Sequence, residues 1–300
     1  MRTLLILLFG CMLAVMACTE GKGTDAKGSA NADSAALRVA VTPTLDCLPL
    51  FVAEASGLLQ SDGLDVSLRT YTAHMDCDTA VARRAVDGTF TDLVRAERLR
   101  RQGVPLKYAT STNLSWQLLS ARSARIRQLR QLDDKMVAMT RYSATALLAD
   151  RAVDSAQLKS ERVFRIQVND VCLRLSMLET NTIDALLLPE PQATQARNAR
   201  AHVMFDSRQM NLRLGALAFR DDAMSDSVRH QQIRRLLTVY DQACDSINDH
   251  GLSYYRDLIV SRCSIKSTTA DSLPQNIRFD HAKAPRQSDI DVALDWLKKQ

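Results

Sequence analysis

Aromatic residues are scarce, at 5% of 300 residues with only 2 tryptophans. A groove that stacks bases needs aromatic platforms, so a main role in binding nucleic acid is excluded. Glycine and proline, 10 and 7 in number, are too few for a collagen-like or low-complexity chain. Neither sign of charge dominates: 39 Lys and Arg face 34 Asp and Glu, for a net charge of +5, which leaves room for an anionic partner without requiring one. The chain has no G-x-S-x-G elbow, no phosphate-cradling P-loop and no G-x-G-x-x-G turn. Zinc-type spacing is also missing. His74, Asp76, Cys77 and Asp78 form a short donor cluster without a second pair, and His202, His230, His250 and His281 are scattered. No metal and no cofactor are expected.

What is present begins with an address. Residues 1–17 carry Arg2, an apolar stretch and Ala17, the grammar of a secretory signal. The stretch is short of the ~20 residues that a membrane-spanning helix needs, and no later segment is long and apolar enough. Val15-Met16-Ala17-Cys18 resembles the lipobox of bacterial lipoproteins, which implies cleavage before Cys18 and a lipid on its thiol. Residues 18–36 are Gly, Ser, Ala, Asp and Lys without apolar period, a flexible tether. The expected product is exported and lipid-anchored to a bacterial membrane, with a body facing the periplasm.

From Leu37 an internal repeat emerges. Leu37 to Thr42 reads as a strand, followed by a helix from Leu50 to Leu59 and a strand from Leu64 to Arg69. Lys135 to Thr140 is again a strand ending in threonine, followed by a helix from Ser143 to Val153 and a strand from Arg162 to Val168. Each unit then reaches a strand associated with an acid, Thr89 to Val94 with Asp92 and Asn181 to Leu188 with Asp184. Alternating strands and helices give parallel βαβ units, and two units in succession predict an α/β fold of two lobes with a cleft between them. The expected boundaries are 37–117 for lobe 1, 118–214 for lobe 2, and 215–300 for a return to lobe 1 with C-terminal helices.

Ligands of open α/β sheets bind beyond the carboxyl ends of the strands. The loops after Thr42 and Thr140 should therefore face each other, each leading into a helix whose first amides are free donors. This selects Thr42, Thr44, Asp46, Thr140, Arg141, Tyr142 and Ser143 as ligand-binding candidates, with Ser143 as a helix cap. Arg95 follows the third strand, Asp76 the second, and Glu190 ends a strand before Pro191, so all three join the set. The basic run Arg122, Arg125, Arg127 and Arg130 reads as a solvated face.

Five cysteines remain beyond Cys18 in an oxidising compartment. Cys47 and Cys77 follow adjacent strands and are expected to form a disulfide at the cleft rim. Cys244 and Cys263, on successive helices, are expected to form another, and Cys172 to be a buried small hydrophobe.

The segment Leu50-Phe51-Val52-Ala53-Glu54-Ala55-Ser56-Gly57-Leu58-Leu59, followed by Gly63-Leu64-Asp65-Val66, resembles a helix signature of type 2 periplasmic substrate-binding proteins of ABC importers, in the nitrate, sulfonate and thiamine-pyrimidine-precursor group. Ile126, Leu129, Leu132, Lys135, Val137 and Ala138 echo a second motif of that family, with Asp134 where it has Gly. Asn181-Thr182-Ile183-Asp184-Ala185 with Pro189-Glu190-Pro191 echo a third. In the first lobe Gly88 stands four residues before Asp92, where the family has three. The resemblance runs from Leu37 to Leu217. It implies a type 2 periplasmic binding protein fold whose central interlobe cleft closes by hinge motion on a small organic or anionic solute. The closed form would then dock on a membrane permease. Hinges are implied near Trp116 to Ala121 and Leu214 to Phe219. A monomer that is not an enzyme follows. The competing readings are an enzyme on the same fold, such as a chorismate-dehydratase-like lyase, and a lipoprotein that binds a partner protein and no solute. An export signal argues against a cytosolic enzyme. The cysteine-rich segment on which a thiamine-pyrimidine synthase relies is missing.

Overall fold

The computed structural model describes residues 36–300; the signal stretch, Cys18 and nearly all of the tether lie outside the described residues. The first half runs β1 (Leu37–Val41), α1 (Leu48–Ala55), α2 (Leu58–Ser61), β2 (Val66–Thr70), α3 (His74–Ala82), β3 (Gly88–Asp92), α4 (Leu93–Arg101) and β4 (Leu106–Ser111). The second runs β5 (Trp116–Ser120), β6 (Lys135–Met139), α5 (Ala144–Ser155), β7 (Val163–Gln167), α6 (Val171–Glu179), β8 (Ala185–Pro189), α7 (Gln192–Asn198), β9 (His202–Asp206) and β10 (Gly215–Arg220). Five helices close the chain: α8 (Asp221–Ser225), α9 (Ser227–His250), α10 (Arg256–Cys263), α11 (Ser267–Asp271) and α12 (Gln287–Leu297).

The strands form two five-stranded sheets, ordered β2-β1-β3-β10-β4 and β7-β6-β8-β5-β9. In the first, β1 is parallel to β2 and β3, and β10 runs antiparallel between β3 and β4. In the second, β6 is parallel to β7 and β8, and β5 runs antiparallel between β8 and β9. Each lobe is thus a parallel βαβ core extended by two further strands. The chain crosses between sheets at 112–115 and 207–214. Trp116–Ser120 is a strand paired on both edges, with a register shift against β9 between Leu118 and Leu119, while the crossing itself is tight: a Cβ on Gly215 would fall 2.4 Å from Thr112 Oγ1.

The repeat extends to register. Leu37 pairs with Val66 as Lys135 pairs with Val163, and Val39 pairs with Gly88 as Val137 pairs with Ala185. This corrects one equivalence. The counterpart of Asp184 is Asp87, not Asp92, because each precedes the first paired residue of its strand. Each accepts a backbone N–H from the neighbouring strand at 2.9 Å, Asp87 from Arg38 and Asp184 from Met136. Two boundaries also move. The expected helix from Leu50 to Leu59 is two helices, broken at Gly57, whose φ of 76° only glycine adopts without strain. The strand expected to reach Val94 stops at Asp92, because the Asp92 carboxylate accepts from Arg95 N and starts α4 there.

The core of lobe 1 lies on both sides of its sheet. Leu37, Val39 and Val41 point to one side, where α1, α9 and α10 bury Phe51, Ile233, Leu236, Tyr240 and Ile247. Ala40 points to the other, against Cys77, Val81 and Ala96. This alternation, period two along a strand, overturns the expected Cys47–Cys77 disulfide: Cys47 packs with the first group and Cys77 with the second, so the sheet separates them. Cys244 and Cys263 are free thiols as well, serving as buried filling among the helices of the first group. Burial pushes the Cys244 thiol up to about 12, the behaviour of an inert core cysteine. Cys172 is half-buried, with the exposed Leu173 beside it, and is not the core residue expected.

Candidate functional site

The carboxyl ends of both parallel cores point to the boundary between the lobes. After β1 the chain turns through buried Thr42, Thr44 and Asp46. Thr42 and Thr44 hydroxyls bond at 2.8 Å, and Thr44 donates to Asp46 Oδ1 at 2.6 Å. Asp46 Oδ2 has no partner. Burial pushes its carboxyl up to about 6, against the hydrogen bond from Thr44. The neighbouring Leu45 N–H donates to Glu190 O, at the end of β8 in the other lobe, at 3.0 Å.

Beside this loop, Asp92 ends β3. Its Oδ1 accepts from Arg95 N and, across the lobe boundary, from Ala144 N, each at 3.0 Å. One carboxylate oxygen thus satisfies free amides of two helices, the place where an anion is most favoured. Ser143 caps α5 with its hydroxyl on Thr145 N and donates to Thr140 O at 2.7 Å. Arg95, 1% exposed, is paired with Asp78 through both Nε and Nη2 and donates to His74 O. Its Nη1 stands 3.8 Å from Asp92 and has no hydrogen-bond partner. Burial works against its charge, but Asp78 and Asp92 raise its pKa above the usual range. Arg174 of α6 is equally buried and donates to Leu187 O at 2.8 Å, leaving Nε unpartnered. Burial brings its pKa down to about 10. His74 is held neutral by burial and by Arg95 and Arg174.

The lobes meet at further points. Ala73 bridges Asp170, and Gln192 Nε2 donates to Pro43 O at 2.6 Å and to Cys263 O at 3.2 Å. A cavity of about 220 Å³ opens along this boundary, walled by Leu45, Asp46, Leu114, Glu190, Arg208 and Ile277 among others. Among the described residues, eight side chains carry a buried polar atom without a hydrogen-bond partner, one of which, Asp221 Oδ1, forms an ion pair with Lys107 at 2.6 Å. Six of them (Asp46, Arg95, Thr112, Thr140, Arg174 and Gln192) lie at the lobe boundary or its crossing segment. Each such atom costs about 1–3 kcal/mol when left unsatisfied.

Residues 44–273 match the NMT1/THI5 like family. The chain belongs to it. No curated protein matches the chain. Among solved structures, the alkanesulfonate-binding protein SsuA from Xanthomonas axonopodis pv. citri, bound to MOPS, is similar with a TM-score of 0.76 at 12% identity, covering 88% of this chain and 92% of that one. The periplasmic aliphatic sulphonate binding protein SsuA from Escherichia coli gives 0.70 at 15% identity, with 88% and 87% covered. The periplasmic nitrate-binding protein NrtA from Synechocystis PCC 6803 gives 0.68 at 12%, with 83% and 74% covered. At these identities the likeness is one of fold: the two-lobed periplasmic binding protein architecture.

Within this NMT1/THI5-like chain, the ten candidates fall into three groups. Thr42, Thr44, Asp46 and Glu190 come together around the Leu45–Glu190 contact. Glu190 is itself engaged, accepting from Thr194 N and Thr194 Oγ1 and pairing with Arg197 at 2.9 Å. Arg95, Thr140 and Ser143 gather around Asp92. Asp76, Arg141 and Tyr142 are exposed. Tyr142, with a φ of 52°, lies under the Arg98 guanidinium of lobe 1 at 4.6 Å. Sequence reasoning missed Asp92 as a junction residue, the buried Arg174, and the crossing segment with Arg208 in the cavity wall. Asp92 was legible as an N-cap before an apolar turn, and Arg174 as a lone cation at the spacing of Val171 and Leu178. Nothing local marks Arg208.

Proposed function

We propose that this chain is the solute-binding component of an ABC importer, exported, anchored by a lipid on Cys18 and held off the membrane by residues 18–36. In this reading lobes 37–117 and 118–214, with 215–300 returning to the first, close on a small solute, and a membrane permease receives it. The chain acts as a receptor and not as an enzyme, as a monomer, without nucleic acid. One observation supports it above the rest: the unpartnered buried polar atoms concentrate at the lobe boundary. A fold stabilised for its own sake satisfies such groups, whereas a receptor leaves them for what it binds. Thr42, Thr44, Asp46, Arg95, Thr140, Ser143 and Glu190 are the residues proposed to surround the solute. Asp76, Arg141 and Tyr142 are proposed to contact it at the rim.

The test uses the full chain purified in detergent. A solute that binds the folded form raises the melting temperature by mass action, by an amount that grows with its concentration. Small-angle scattering should show a more compact particle in its presence. A panel of small organic acids, amines and heterocycles that shifts neither quantity overturns the receptor reading. Mass spectrometry of the amino-terminal peptide tests the anchor, which is wrong if Cys18 is unmodified.

A further inference from the structure

Helix amino-termini facing a lobe boundary are the ordinary seats of anions, and here the chain fills four of them with its own carboxylates, while α1 and α3 start without a side-chain cap. Asp92 takes the free amides of both α4 and α5. Asp170 takes Cys172 N at 2.8 Å and Leu173 N at 2.9 Å at the start of α6. Glu190 takes Thr194 N at 3.0 Å in the first turn of α7. An acidic solute meets occupied donors at four helices.

The cavity wall carries the opposite demand. Arg208 is bound to Asp206 through Nε and Nη2; Arg278, exposed to solvent, donates to Asn248 O and has no ion pair among the described residues. Glu190 is paired with Arg197. Asp46, 2% exposed, lines the cavity, has no cation within ion-pair distance, and carries a buried Oδ2 without a hydrogen-bond partner. The two unpartnered guanidinium N–H groups, of Arg95 and Arg174, are not part of that wall. A buried carboxylate without a counter-charge is costly, and a cationic donor supplied from outside is what removes the cost.

Resting on the receptor reading above, we infer that the solute is a compact organic cation whose ammonium group donates to Asp46 Oδ2 in the interlobe cavity. At about 220 Å³, the space lies below the usual range for drug-sized ligands and favours a small amine.

The experiment measures binding to the full chain in detergent by calorimetry. The probes are putrescine, agmatine and benzylamine, with butanesulfonate, benzoate and nitrate as acids of comparable size. The expected result is at least tenfold tighter binding of one or more amines than of any acid, and at least a tenfold loss of that amine in Asp46→Asn. Melting of the variant without solute checks that it folds, and the amine-over-acid preference of the unaltered chain requires no variant. Tighter binding of the acids overturns the cationic assignment while leaving the receptor reading intact. Amine binding that Asp46→Asn leaves unchanged overturns the assignment of Asp46 as the anchor and leaves the receptor reading intact. If no amine and no acid binds, both readings fall.

Discussion

The two lobes repeat one another closely enough that their differences can be read position by position. Asp87 and Asp184 hold the same place and bind the same kind of backbone N–H; they are scaffold. Five residues further on, lobe 1 has Asp92 and lobe 2 has Pro189, the two strands ending at matching positions. Asp92 reaches across to Ala144 of the other lobe, and no proline can. A repeat conserves what its register needs, and the departures from it gather where the copies face each other. Asp46, Asp92 and Arg95 in lobe 1 and Arg174 in lobe 2 are all such departures, and all are buried.

This contrast can be broken by mutation. The largest effect is expected from Arg95→Met, which leaves Asp78 and Asp92 buried without their guanidinium. Removing one partner of a buried pair costs about 3–5 kcal/mol, read as a lower urea midpoint. A loss below about 1 kcal/mol would place Arg95 among ordinary surface arginines.

The next effect is one of pH. Asp46 is raised from 3.8 to about 6 in the folded chain. The folded form therefore binds a proton more readily than the unfolded form between those values. The cost of its buried charge is fully present above about pH 6 and is relieved as pH falls toward 4. At about 1.4 kcal/mol per unit, the relief is on the order of 3 kcal/mol. Stability of the solute-free chain should gain about two-thirds of this contribution from pH 7 to pH 4.5, and Asp46→Asn should remove it. An identical pH slope in the variant would show Asp46 to be charged at no cost.

The smallest effect sharpens the scaffold half of the comparison. Asp184→Ala removes one hydrogen bond to Met136 N, worth about 1 kcal/mol. Asp87→Ala also strips the Arg38 guanidinium of two bonds, and should cost about twice as much. Equal losses would mean that the two scaffold acids do the same work, and that only the boundary residues separate the lobes.

Much of the scaffold was legible in the sequence. β1 and β6 fall where the alternating runs Leu37 to Thr42 and Lys135 to Thr140 placed them, and Ser143 is the cap expected, because strand period and cap chemistry are local. The loop of Thr42, Thr44 and Asp46 was legible for the same reason: it follows a strand. The errors were non-local. Cys47 and Cys77 lie 30 positions apart on neighbouring βα units, yet they are separated by the sheet, since the phase of each helix decides which side a thiol meets. Glu190 was selected as a strand terminator, but its occupation by Thr194 and Arg197 depends on how α7 turns back on β8.

By itself the sequence determined the repeat, the strand and helix grammar and the chemistry offered at the strand ends, since hydrophobic period and capping act within a few residues. Tertiary structure alone decided which charges are paired and which are left over. The partner of Asp92 is an amide 52 positions away, and Asp46 is unpaired because no cation reaches it once both lobes have packed. Desolvation and pairing are properties of the assembled boundary, where the free energy of a charge is set by neighbours that the chain brings in from elsewhere.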